Sequence, residues 1–289
     1  MAVELEPFFQ PIIDVNSGLI AYNEVLARKK RRDTGCYVSA GAIFSSSALS
    51  LTQILKFDKQ VRHKAFSKYK HYTGNAGLSI NISPNWFNRH APFLRLADHE
   101  IPTLSMLNDC GIDPKRIVIE ITEYAGDKKL IEHFVCAYRK MGAKIAIDDF
   151  GTGFSQIDRL IEIEPDIIKL DMSLFQRSLT STYTMDLIKV IASFAKKTHS
   201  ELIFEGIETV EEYKVAVDAG ADLVQGFLFS QAQSEFYQDN YFAERILALC
   251  PPSHGQYDER NGYQTASKEW AIKPEKSVSL FAESKTVFN

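Results

Sequence analysis

The sequence predicts an α/β protein built as a closed (β/α)8 barrel whose first strand runs antiparallel to its second. Three observations predict it. About eight short apolar runs with a β-branched bias alternate with helical patterns, which favours a closed barrel over an open sheet. Three predicted helices stop at a glycine just ahead of a strand, at Gly111, Gly142 and Gly220, the residue that most readily ends a helix in the left-handed conformation. The first two runs are joined by Asn16-Ser17-Gly18, a tight-turn spelling that makes them a hairpin.

In order, Phe8–Val15 and Leu19–Ala27 are the hairpin strands. Arg28 to Gly41 reads as polar and irregular, and Ile43–Leu55 and Phe57–Tyr69 as two helices. Gly77–Ile82 is a strand, a helix lies between Pro84 and Cys110, and Arg116–Ile121 is a strand. Lys128–Met141 is a helix with Leu130, Ile131, Phe134, Val135, Tyr138 and Met141 on one face. The run Ile145-Ala-Ile147 is the next strand, Ser155–Ile163 a short helix, Ile167–Leu170 a strand and Thr182–Thr198 a helix. Leu202–Phe204 is a strand, and Thr209-Val-Glu-Glu212 is a capping box opening the helix that ends at Gly220. Leu223–Phe229 is the last strand and Glu235–Leu249 the last helix. Pro251-Pro252 closes a barrel domain of residues 1–250, and the polar stretch 251–289 is a tail, loosely structured or packed on the outside.

The chemistry is expected where strands end. Asp148 and Asp149 are adjacent, follow an apolar run and precede Phe150-Gly-Thr-Gly153. Two like charges about 4 Å apart repel by roughly 4 kcal/mol at an effective dielectric of 20, so a cation, a salt bridge or a proton must neutralise them. In a barrel the C-terminal strand ends converge on one face. Glu24, Asn81, Glu120, Glu123, Asp148, Asp149, Lys169, Asp171, Glu205, Glu208 and Gln225 lie on or close to the strands, most of them at the ends, and periodicity gathers Glu24, Glu120, Asp148, Asp149 and Glu205 into one mouth. One lysine cannot balance so many acids. A pair of hard divalent cations with oxygen ligands, Mg²⁺ or Mn²⁺, can, and no Cys or His is placed to suit zinc. Two such ions form the usual clamp for phosphoester hydrolysis.

The bulk numbers narrow the classes. Hydrophobic residues make up 45%, enough for a sizeable core, and the net charge of −4 gives no electrostatic case for duplex nucleic acid or anionic membranes. The basic run Arg28 to Arg32 reads as a solvated loop. Cys36, Cys110, Cys136 and Cys250 form no C-x-x-C pair and read as reduced thiols of a cytoplasmic protein. The start has no signal-peptide pattern, and no apolar run is long enough to span a membrane.

The segments FFQPIID, NEVLAR, LSINIS, IEITE, IAIDDFGTGFS, DIIKLD, FEGIE and VQGFLFS, in order from Phe8 to Ser230, resemble the EAL-domain phosphodiesterases of bacterial cyclic di-GMP signalling. The resemblance implies a modified TIM barrel with an antiparallel first strand. It implies hydrolysis of cyclic di-GMP to linear 5′-pGpG with two metal ions. Glu24, Asn81, Glu120 and Asp148 would hold one metal, and Asp149 and Glu205 the second, with Asp148 near both. Lys169 would contact the nucleophilic water, so that Lys169, Glu205 and Glu24 form the catalytic set. Gln10, Leu26, Arg28 and Gln225 would meet the substrate. Glu123 would anchor the loop after Asp149, which includes Thr152, while Asp171 and Glu208 would be supporting residues. A homodimer through helices beside that loop is also implied.

The sequence departs from the family pattern at Val25, at the serine-rich Ile43–Ser50 and at Gln231-Ala232. The last two touch the pocket rim and bear on affinity or regulation. The alternative reading is a catalytically inactive cyclic di-GMP receptor acting through a partner. Such members usually lose metal acids or the DDFGTG loop, and here every one of those positions is filled.

Overall fold

The computed structural model describes residues 4–31, 33–44, 46, 48–82, 102–121, 128–152 and 156–249. Nine strands occur among them: β1 (Leu5–Asp14), β2 (Ile20–Lys30), β3 (Tyr37–Ser39), β4 (Gly77–Ile82), β5 (Ile117–Ile121), β6 (Lys144–Phe150), β7 (Ile167–Leu170), β8 (Glu201–Phe204) and β9 (Leu223–Val224). Eight of them close a ring in the order β1-β9-β8-β7-β6-β5-β4-β2 and back to β1, with β3 appended to β2. β1 runs antiparallel to both neighbours, while β2 and β4–β9 are mutually parallel. This is the predicted barrel with its antiparallel first strand.

Alternation along each strand builds the interior in layers. At the floor, the Tyr22 hydroxyl donates to Glu201 Oε2 at 2.7 Å, and Lys144 Nζ donates to both, at 2.6 and 2.8 Å. Above it, Ile12, Val118, Ala146, Ile167, Ile203 and Leu223 form a separate apolar plug. Two residues further towards the mouth, the same strands present Gln10, Glu120, Asp148, Lys169, Glu205 and Gln225. Outward-facing strand residues such as Ile119, Ile145, Ile168 and Phe204 are fully buried against the helix ring. There they meet Phe66, Phe134, Tyr138, Phe175 and Tyr213.

Several boundaries differ from the sequence expectation, each for a local reason. Arg28 to Gly41 is not wholly irregular: β2 runs on to Lys30 and pairs with β3. The predicted helices 43–55 and 57–69 are instead a single turn at Gly41–Phe44 and one continuous helix, Leu51–Tyr69. Ser50 caps that helix in a box with Gln53, each accepting from the other's backbone N–H. A helix at Met172–Ser178 was not expected, and Asp171 caps it by accepting from Ser173 N at 2.8 Å. The last strand stops at Val224, because the chain turns at Gly226 against the Ile207 backbone. The last helix starts at Ala243 rather than Glu235. The expected box at Thr209 and Glu212 is present, and Gly111, Gly142 and Gly220 all have positive φ. Cys36, Cys110 and Cys136 are free thiols. Glu123, Cys250 and the tail 251–289 lie outside the described residues. No helix among the described residues is long and apolar enough to cross a membrane.

Candidate active site at the barrel mouth

The mouth layer is polar on every strand of the ring, and Lys169 stands at its centre. Its Nζ lies 2.8 Å from Glu205 Oε1, 2.9 Å from Asp148 Oδ1, 3.1 Å from Glu120 Oε2 and 3.5 Å from Glu24 Oε2. Lys169 is 1% exposed and Glu120 is fully buried. Glu24 is held from two sides: Asn81 Nδ2 donates to Oε1 at 3.1 Å and Gln225 Nε2 to Oε2 at 2.7 Å. Glu120 is held by Ser79, whose Oγ donates to Oε1 at 2.6 Å.

Asp149 reaches this site through a bulge. Adjacent residues of a regular strand point to opposite faces. Here the β6–β7 register shifts between Ile147 and Phe150, and Asp149 adopts a left-handed φ of 54°. The extra residue re-aims its carboxylate. Ligand oxygens of Asp148, Asp149 and Glu205 then lie within 4.8 Å of one another. The turn that follows is closed by the Thr152 hydroxyl, which donates to Asp149 O at 2.9 Å. Gly151 (φ 108°) lies against Leu174, where a Cβ would clash.

The charges explain the titration. Glu24, Glu120, Asp148, Asp149 and Glu205 against Lys169 give −5 + 1 = −4 when all are ionised. Burial, and then the neighbouring Glu24, pushes Glu120 well above the usual carboxylate range. Burial pushes Glu205 up to about 8 against the opposing pull of Lys169. Burial and then Asp148 push Asp149 up to about 6. For Lys169 burial acts downward, but Asp148, Glu120, Glu205 and Glu24 outweigh it and hold the ammonium well above its ordinary value. Asp148 Oδ1 is buried and accepts no well-aligned hydrogen bond, although Lys169 Nζ is 2.9 Å away. An all-oxygen donor set with surplus negative charge and an under-coordinated carboxylate oxygen fits hard divalent cations.

A cavity of about 350 Å³ opens above these groups. It is lined by ten of the predicted site residues: Gln10, Glu24, Leu26, Asp148, Asp149, Lys169, Asp171, Glu205, Glu208 and Gln225. Asn81 and Glu120 stand behind Glu24 and Lys169 rather than on the wall. Gln10 Nε2 is tied to Ser230 O at 3.2 Å. Arg28 is on the face of β2 that carries Glu24 and Leu26, one rung above the cavity, and its Nη1 donates to Ala27 O at 3.2 Å. Exposed Glu208 presents its backbone N–H to Glu212 Oε2 at 2.7 Å. A larger groove of about 640 Å³ runs between residues 67–74 and 235–239. Its charged groups are already engaged, Lys68 with Glu235, and Asp239 with Tyr72 and Asn75, so the chemistry belongs to the smaller cavity. Three contributors were not anticipated: Ser79, Met172 and Phe227. Ser79 had a signal, since it lies two residues before Asn81 on the same strand face.

Fold and site together define a barrel with a carboxylate-rich mouth whose donor set suits hard cations. The chain belongs to the EAL-domain family, whose model matches residues 2–232. It is 30% identical over 237 residues to the probable cyclic di-GMP phosphodiesterase PdeI of Escherichia coli (strain K12), covering 79% of this chain and 29% of that protein. It is 26% identical to the cyclic di-GMP phosphodiesterase RocR of Pseudomonas aeruginosa, covering 80% of this chain and 58% of the relative. The chain thus spans less than two thirds of the length of these relatives. Among solved structures, the manganese/cy-diGMP complex of Klebsiella pneumoniae BlrP1 matches with a TM-score of 0.68 at 26% identity, covering 79% of this chain and 56% of that one. Bacillus subtilis YkuI, solved with c-di-GMP and calcium, matches at 0.74 and 24% identity over 85% of this chain and 60% of that one, a likeness of fold.

Proposed function

We propose that this chain hydrolyses cyclic di-GMP to linear 5′-pGpG with two divalent cations, Mg²⁺ or Mn²⁺, held at the barrel mouth. The observation that carries the reading is the mouth layer itself: five carboxylates around one buried lysine. Glu24, Asn81, Glu120 and Asp148 would hold one ion; Asp149 and Glu205, with Asp148 shared, would hold the other. Bound there, the ions would supply Lewis acidity and a water of lowered pKa. Lys169, kept cationic by its four carboxylates, orients the attacking water and adds positive charge where the phosphorane develops. Gln225 and Asn81 hold Glu24 in place, and Ser79 does the same for Glu120. Gln10, Leu26 and Arg28 border the substrate on the β1–β2 side. The relatives' names and the nucleotide in the neighbouring structures support the substrate. The inactive-receptor alternative has no vacant acid position in its favour.

The reading extends to a cytoplasmic homodimer. Tyr183, Leu187, Val190 and Phe194 form an exposed apolar stripe on helix Thr182–Thr198. Helix Gln156–Ile163, which follows the Asp149 turn, exposes Ile157 and Ile161 by 70% and 69%. A second copy would cover these faces. The test of activity is direct: incubate the purified chain with cyclic di-GMP and Mg²⁺ or Mn²⁺ and separate the nucleotides. The expected product is pGpG; substrate that is bound but never cleaved supports the receptor instead.

A further inference from the structure

The cavity floor is charged, but part of its rim is apolar. Met172 is 47% exposed and Phe227 55% exposed, and both line the cavity. Neither position is loose. Gly206 takes a φ of 71°, and a Cβ there would lie 2.6 Å from Met172 Sδ, so the glycine is what lets the thioether lie beside Glu205. Gly226 presses on the Ile207 backbone, where a Cβ would collide. Leu228 N then donates to Ile207 O at 2.9 Å. The backbone on either side of Phe227 is therefore fixed, and its ring is held out over the opening.

A charged floor accepts phosphate once its cations are present, but it offers nothing to a planar heterocycle. A nucleobase gains from an apolar or aromatic face, and stacking on an aromatic side chain contributes about 1–3 kcal/mol per base. A thioether beside a ring adds a polarizable surface. We infer that Met172 and Phe227 form a clamp that takes the face of one purine base and so sets the nucleotide over Glu205 and Lys169. The inference rests on the phosphodiesterase reading and adds residues that hold and position the base. They bind the base and take no part in bond cleavage.

The test compares Phe227→Ala, Phe227→Tyr, Met172→Ala and the unaltered chain, with melting curves confirming the fold. Two readouts are used: steady-state hydrolysis of cyclic di-GMP, and the fluorescence of a cyclic dinucleotide carrying 2-aminopurine, which is quenched by stacking. Phe227→Ala is expected to raise KM about tenfold, the loss of about 1.4 kcal/mol of stacking, with kcat held within about twofold. It should also abolish the quenching, while Phe227→Tyr restores both. Met172→Ala should show a smaller KM effect. Unchanged KM and quenching in Phe227→Ala, with the unaltered chain active, overturn the clamp and leave the activity standing. Quenching by the unaltered chain that depends on Phe227, without any cleavage, keeps the clamp and overturns the activity.

Discussion

Replacing Ser79 by alanine removes a single hydroxyl that is not itself a proposed cation ligand, yet it should weaken cation binding. The Ser79 hydroxyl donates to Glu120 Oε1 at 2.6 Å, and both residues are buried, at 2% and 0% exposure. A hydrogen bond to a charged group contributes about 1.5–3 kcal/mol. This one favours the ionised form of Glu120, whose proton affinity burial and Glu24 already raise. Without the hydroxyl that affinity rises further, and an incoming cation must displace a more tightly held proton. At 1.4 kcal/mol per decade the expected loss is about 10–100-fold in affinity, the range typical when a ligand's hydrogen-bond partner is removed. Titration calorimetry of Mn²⁺ into the metal-free protein measures it. Repeating the titration in buffers of different ionisation enthalpy should show more protons released per ion by the variant. A Ser79→Ala protein with lower melting temperature but unchanged affinity would show that the hydroxyl serves the fold alone, and the reasoning would fail.

Further outcomes follow from the same structure. Asp148→Asn should abolish turnover while leaving the melting temperature within a few degrees; retained turnover would remove Asp148 from the shared position. Cation affinity should rise with pH between about 6 and 8, because Asp149 and Glu205, held at about 6 and about 8, must lose protons to bind. In the metal-free protein the sign reverses: an acid whose folded pKa is raised stabilises less as pH climbs towards that pKa. The melting temperature should therefore fall from pH 5 to pH 8, and a rise would contradict these assignments. Asn23, 1% exposed with neither amide atom paired, should tolerate leucine with a gain of about 1–3 kcal/mol, read as a higher denaturant midpoint; a loss would reveal a polar partner. Val190→Glu should shift sedimentation towards a monomer if a second copy covers the helix stripe, and an unaltered sedimentation coefficient would exclude that face.

Most of the fold was legible because each strand is short, apolar and bounded. Gly77–Ile82, Ile167–Leu170 and Thr182–Thr198 have the expected limits. Much of the mouth layer was legible for a related reason: period-two alternation places a polar residue at the end of each apolar strand. What escaped lacks periodicity. Helix Met172–Ser178 is only seven residues long and is announced by nothing but the Asp171 cap. The Ser50–Gln53 box was spelled in the sequence but fell inside the expected helix Ile43–Leu55, so it was not taken as a helix start. Phe227 was assigned to the last strand, although the contact of Gly226 with Ile207 bends it onto the rim. Ser79 looks like an ordinary strand serine until its neighbour across β5 is known to be Glu120.

The Asp148-Asp149 pair shows why the mouth is built as it is. Alternation alone would give this strand one inward carboxylate. The bulge delivers a second, at the cost of a left-handed aspartate, a conformation that Asp tolerates better than most residues. The gain is not stability, since each added acid raises the proton affinity of its neighbours and one ammonium cannot offset five carboxylates. Lys169 and the protons on Glu205, Asp149 and Glu120 are therefore stand-ins for positive charge, and protons are the replaceable part. Burial first, and then their mutual repulsion, raise the proton affinity of these acids, so on the proposed function protons would give way to cations within the physiological pH range. A regular strand at this position would aim Asp149 away from Asp148 and Glu205, and the second of the two proposed cation positions would lose a ligand.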